Sequence, residues 1–145
     1  MIYAAARYLS VLLVANLVWE IAQLPLYRLW TDGTRAEIVF AILHCTGGDA
    51  MIAAVALGIA LLLARARGWP AQGWRPVALT ATSIGVAYTI FSEWLNVDVR
   101  GAWAYSAAMP RLPPLGTGLA PFLQWLLLPP LAMLAVRPAA RHSAF

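Results

Sequence analysis

Four ionisable side chains, Glu20, His44, Asp49 and Glu93, stand inside long apolar stretches of this 145-residue chain. A charged residue near the centre of a bilayer costs about 2.5–3.5 kcal/mol on insertion scales, so each needs a reason to be there. Carboxyls and an imidazole gathered out of water can pass protons to one another and to a bound molecule. Such a group can protonate an alkene, move a double bond or hydrolyse a headgroup bond on a lipid or isoprenoid-like substrate. Glu20, His44, Asp49 and Glu93 are therefore the candidate catalytic residues. The same four also form a nitrogen–oxygen set that suits iron, manganese or zinc. The Glu-x-x-His motif of four-helix di-iron sites is missing, and His44 is the single histidine within an apolar stretch. A third chemistry is proton relay or ion-coupled transport through the same groups.

The spacing around these residues is regular. Asn16, Glu20 and Gln23 stand at i, i+4 and i+7, which is one face of a helix, and Thr89, Glu93 and Asn96 repeat the pattern. Asp49 follows in HCTGGD, and Gln124 precedes Trp125. Asn16, Gln23, Asn96, Arg100, Trp103, Tyr105 and Gln124 are the expected substrate-binding residues. Arg100 suits a headgroup phosphate or carboxylate, or an ion pair with Asp98, and the aromatics suit an apolar tail. Asn16, Gln23, Thr89 and Gln124 also fit a structural role as polar glue between helices, at about 0.6 kcal/mol per contact.

The elements that carry these residues follow from composition. Hydrophobic residues make up 62% of the chain and charged ones 11%, against about 45–50% and 25% in soluble domains. Mean hydropathy is +0.73. A soluble globule of this size would lack the polar residues to cover its surface, and disorder and a disulfide scaffold are excluded too, since Cys45 is the single cysteine. All ten basic residues are arginines, spread over loops and termini without a stripe or a nucleic-acid motif, so nucleic acid is not an expected partner.

A spanning helix needs about 20 apolar residues. Four stretches approach that: about 8–27, 38–64, 77–97 and 119–136. Four spans cannot close a barrel, so each is helical. The reading is an all-α, four-transmembrane-helix bundle forming one domain over 1–145. A Pro129–Pro130 pair is expected to kink the last helix. Glu20 and Gln23 interrupt the first apolar run, which argues for a retained helix rather than a cleaved signal. One set of ends carries Arg7, Arg65, Arg67, Arg75, Arg137 and Arg141 without an acid; the other carries Arg28, Arg35, Arg100 and Arg111 with Asp32, Glu37 and Asp98. That bias puts both termini in the cytoplasm. Trp69 and Trp74 read as interfacial anchors. With this topology Glu20, Gln23, His44, Asp49, Glu93, Asn96 and Gln124 all fall in the outer half of the membrane.

The loop of residues 98–118, DVRGAWAYSAAMPRLPPLGTG, is too apolar for a solvated linker. It is expected to be ordered and to lie on or dip into the outer face of the bundle, over the polar cluster. No nucleophile elbow, phosphate loop, HExxH or CxxC is present. The sequence names no cofactor. Membrane lipid is the expected partner, with self-association as a second possibility for so small a chain.

The run WAYSAAMP followed by LGTGLAPFLQW, within 93–130, resembles segments of small uncharacterised bacterial multi-pass membrane proteins. The resemblance covers about a quarter of the chain. It implies four helices in a bacterial inner membrane, and it implies no activity.

Overall fold

A computed structural model of the chain describes residues 1–137. Arg141, counted above for orientation, and His142 lie outside the described residues. The protein is mostly helical. Helix α1 covers Ile2–Gln23 and tightens into a 3-10 turn, Leu24–Leu26. Pro25 has no N–H to bond back to Ile21, so the α ladder stops there. A single turn, α2 (Leu29–Asp32), leads to α3 (Arg35–Leu63). Helix α4 covers Trp74–Glu93 and runs into a π-helical turn, Trp94–Val99. Helix α5 covers Leu119–Val136 and passes through Pro129 and Pro130 as one element.

Three of these helices are long and apolar enough to cross a membrane: α1 with its 3-10 extension, α3 and α5. Helix α4 is two residues longer than α5, but Thr80, Thr82, Ser83, Thr89 and Ser92 lower its hydropathy. The four long helices form a closed ring. Helix α1 packs against α3 and α5, and α4 packs against the same two.

Helix α3 begins before the apolar run because of a capping box. The Glu37 N–H donates to Thr34 Oγ1 at 3.3 Å, and the Thr34 N–H donates to Glu37 Oε2 at 2.8 Å. The expected start at residue 38 is therefore three residues late.

One half of the ring is a dry core. Ala53, Ala56, Leu57 and Ala60 of α3 meet Val77, Ala78 and Ala81 of α4, all buried. Small residues let two helices approach closely where lipid offers no hydrophobic drive. Trp69 reads as an interfacial anchor in the sequence, but its side chain is not free to face a headgroup layer. It is buried beneath the bundle end, with its ring edge-on to Tyr8 at 6.4 Å and its indole N–H directed at Met133 Sδ at 3.2 Å. Trp74 is half-buried, with the Arg75 and Arg137 guanidiniums 5.5 and 4.9 Å from its ring.

The long loop is ordered by backbone pairing. The Arg28 N–H donates to Ala104 O and the Ser106 N–H to Leu26 O, each at 2.9 Å, so residues 104–106 lie beside the end of α1 like a short strand. Further along, β1 (Arg111–Leu112) and β2 (Thr117–Gly118) pair antiparallel. The turn between them needs Gly116, at φ +69°, a left-handed conformation that favours glycine. Arg111 bonds Gly116 O at 2.9 Å and Asp98 Oδ1 at 3.0 Å. The partner of Asp98 is thus Arg111, and not Arg100.

Candidate functional site

The other half of the ring holds the polar residues, and α5 supplies the one that joins them. Gln124 is 2% exposed. Its Nε2 lies 2.8 Å from Asp49 Oδ2 on α3, 3.1 Å from Asn16 Oδ1 and 3.2 Å from Glu20 Oε1 on α1. Gln23 Nε2 donates to Glu20 Oε1 at 2.9 Å and reaches Gln124 Oε1 at 3.4 Å. Both amides are oriented by this network, since turning either would set oxygen against oxygen or nitrogen against nitrogen. The helical face of Asn16, Glu20 and Gln23 is therefore one connected polar surface, closed by α5.

Gln124 Nε2 carries two hydrogens and faces three acceptors. The third is served by Gln23 Nε2, which donates to Glu20 Oε1. Gln23 Oε1 is buried and unpartnered, as are Asn16 Nδ2 and the Trp103 indole nitrogen. Buried polar atoms are rarely left this way, and each unpartnered one costs about 1–3 kcal/mol.

Glu93 stands apart from this network, at the end of α4. It accepts a short hydrogen bond from the Tyr105 hydroxyl. The Gly118 N–H donates to the same hydroxyl at 2.8 Å, so Tyr105 links α4, the long loop and the start of α5. Burial, and then the Glu93 carboxyl, raise the Tyr105 phenol above its ordinary pKa and keep it a donor. The Arg111 guanidinium lies 5.2 Å from the centre of the Tyr105 ring, and the Tyr27 ring packs beside it at 5.4 Å.

A cavity of about 380 Å³ lies between these groups. Glu20, Gln23, Asp49, Glu93 and Gln124 supply its polar wall, and Tyr27, Ile52, Tyr88, Trp103 and Trp125 much of the rest. Gly48 also lines it, and a Cβ there would meet nothing within 4 Å. Trp125 reaches the wall because Gly85 makes room. A Cβ at Gly85 would fall 2.0 Å from the indole Cε3. Among the described residues, the ion pairs are Arg28–Asp32 and Arg111–Asp98, so none of the three cavity acids is paired with a cation. A mixed cavity of this size with a few convergent polar groups has the character of a small-molecule site.

The expected residues fall into three groups. Glu20, Asp49, Asn16, Gln23 and Gln124 are brought together, with Asn16 behind the cavity wall. Glu93, Trp103 and Tyr105 join through the loop. His44, Asn96 and Arg100 line the cavity without joining the network. His44 is on the exposed side of α3, stacked on Phe40 at 5.4 Å. The helix is unbroken at Gly47 and Gly48, so His44 and Asp49 keep the about 140° separation of an ideal helix. The Asn96 Nδ2 donates to Ser92 O at 2.9 Å within its own chain segment. Asn96 lies in the π turn that follows Glu93, and it lines the cavity with Thr89 and Glu93. Pro129 and Pro130 do not line the cavity. No three His, Cys, Asp or Glu side chains among the described residues are grouped to hold one metal ion.

Tyr27 and Gly85 are site residues that sequence reasoning missed. Tyr27 looked like the end of a span, and Gly85 lacks any neighbouring signal. Set against known proteins, the chain matches no family, no curated protein and no solved structure.

Proposed function

We propose that the protein is a four-span component of a bacterial inner membrane, with both termini cytoplasmic. Its outer-half pocket takes a lipid or isoprenoid-like molecule and moves a proton on it. The observation that carries this reading is the Glu20–Gln124–Asp49 bridge: two acids on one amide nitrogen, with no cation paired to either. Two buried carboxylates beside one nitrogen repel each other, so one of them holds a proton. That leaves one acid and one base beside a single amide nitrogen. For an allylic substrate, Asp49 gives its proton to one carbon and Glu20 takes one from another. The double bond moves, and the count of atoms is unchanged.

Glu93, held by Tyr105, and the indoles of Trp103 and Trp125 orient the bound molecule. Arg100 and His44 are exposed side chains that also line the cavity. Transport is less well supported, because the other half of the ring is filled by alanines, leucine and Trp69.

The test uses the full protein in vesicles of bacterial lipid extract made up in D2O. Proton transfer at carbon places deuterium in one lipid species, visible as a mass shift. Glu20→Gln and Asp49→Asn should each abolish the shift while the protein stays folded. If no species gains mass in the presence of the wild-type protein, the catalytic reading fails and the network is structural.

A further inference from the structure

Around Glu20, Asp49 and Gln23 the cavity wall is rich in hydrogen-bond acceptors. Glu20, Asp49 and Glu93 line it, and Gln23 Oε1 is an unpartnered acceptor on a side chain that is 6% exposed. Of the donors bonded to these acids, Gln124 Nε2 faces three acceptors and Gln23 Nε2 is held by Glu20, while Trp103 and Arg100 also line the cavity. A phosphate or carboxylate seated against Glu20, Asp49 and Gln23 Oε1 would add acceptors to acceptors.

The opposite ligand chemistry fits. An ammonium group has three hydrogens and no lone pair. Its hydrogens match Gln23 Oε1 and the free carboxyl oxygens, and its charge supplies the counter-ion that the acids lack. Tyr27, Tyr88, Trp103 and Trp125 present aromatic surface, which attracts a desolvated cation as well as an alkyl chain.

We infer that the pocket binds the protonated amine of a long-chain amphiphile, with the ammonium seated between Asp49, Glu20 and Gln23 and the chain along the aromatic wall. This inference takes the pocket of the proposed function as a ligand site, and names the class of molecule that enters it.

The test measures binding to the full protein in phosphatidylcholine nanodiscs, with empty nanodiscs subtracted. The probes are hexadecylamine, hexadecanol and hexadecanoate, which differ only at the head. The amine should bind about tenfold or more tightly than the alcohol, and the carboxylate weakest. Asp49→Asn should cut the preference for the amine over the alcohol about tenfold. Gly48→Lys places an ammonium of the chain itself in the open space, and should remove the preference altogether. Equal binding of amine and alcohol by the wild-type protein overturns the inference. So does a folded Gly48→Lys protein that still prefers the amine. Loss of deuterium exchange with the preference intact would remove only the catalytic reading; the reverse result would remove only this one.

Discussion

The Tyr105 hydroxyl bonds Glu93 across twelve residues of chain, and in doing so fastens the long loop to the wall of the cavity. The bond joins two features that are each weak alone. Glu93 is a carboxyl at a helix end that frays into a π turn, and Tyr105 belongs to a loop with only short strand pairings. Together with the Gly118 N–H they form a chain of two hydrogen bonds, one donated and one accepted by the same oxygen.

Tyr105→Phe removes that oxygen and leaves Glu93 and the Gly118 N–H both without a partner. A buried group that loses its partner costs about 1–3 kcal/mol. The expected result is a lower melting temperature and faster tryptic cleavage after Arg100 and Arg111, both exposed in the loop. Unchanged cleavage would show that the backbone pairing at 104–106 holds the loop without the phenol.

Gln124→Leu tests the bridge between the acids. Leucine approximates the volume but withdraws the donor from Asn16, Glu20 and Asp49 at once. Hydrogen bonds to charged groups contribute about 1.5–3 kcal/mol each, so the variant should unfold at clearly lower denaturant than wild type. Gln124→Glu should fare no better, because it adds an acceptor where acceptors are already in excess. A stable Gln124→Glu protein would show that the hydrogens of the amide are dispensable to the bridge.

How much of this was legible in the sequence depends on the element. The stripe of Asn16, Glu20 and Gln23 was readable because α1 is a regular helix and the period of 3.6 holds through it. Thr89, Glu93 and Asn96 likewise line one cavity, although the π turn after Glu93 was not readable, because nothing in EWLNVDV announces one. The arithmetic separated His44 from Asp49, but depth alone had grouped them. Composition placed Trp69 at an interface, where indoles are common; its burial depends on Tyr8 and Met133, which are distant in sequence. The start of α3 was readable from Thr34 and Glu37 and was passed over in favour of hydropathy. The loop was expected to be ordered from its aromatics. Its pairing to residues 26–28 could not be read, because strand pairing between remote segments leaves no local periodicity.

Helix α4 carries the least apolar sequence of the four long helices, and its spanning is open to a direct test. With Cys45→Ser as background, Ala71→Cys and Ala107→Cys place single thiols in the exposed segments before and after α4. If α4 crosses the bilayer, a membrane-impermeant maleimide labels one of them from outside intact cells and the other only after lysis. Ala107→Cys is the one expected to label from outside. Labelling of both from the same side would show that α4 does not span.

Gly85→Ala separates the packing of the site from its chemistry. The new methyl cannot coexist with the Trp125 indole in its place, because the contact would be 2.0 Å. Inserting a methyl into a well-packed core costs about 1–3 kcal/mol, and here the ring can yield only into the cavity. The expected protein is less stable and has lost cavity volume, so it binds a sixteen-carbon probe more weakly whatever its head group. Trp125→Leu in the same chain relieves the clash and should recover part of the stability. The discriminating readout is the ratio of amine to alcohol binding. Steric loss lowers both together and leaves the ratio standing, whereas Asp49→Asn acts on the ratio itself. A Gly85→Ala protein whose ratio collapses would place the indole, rather than the carboxyls, at the centre of head-group recognition.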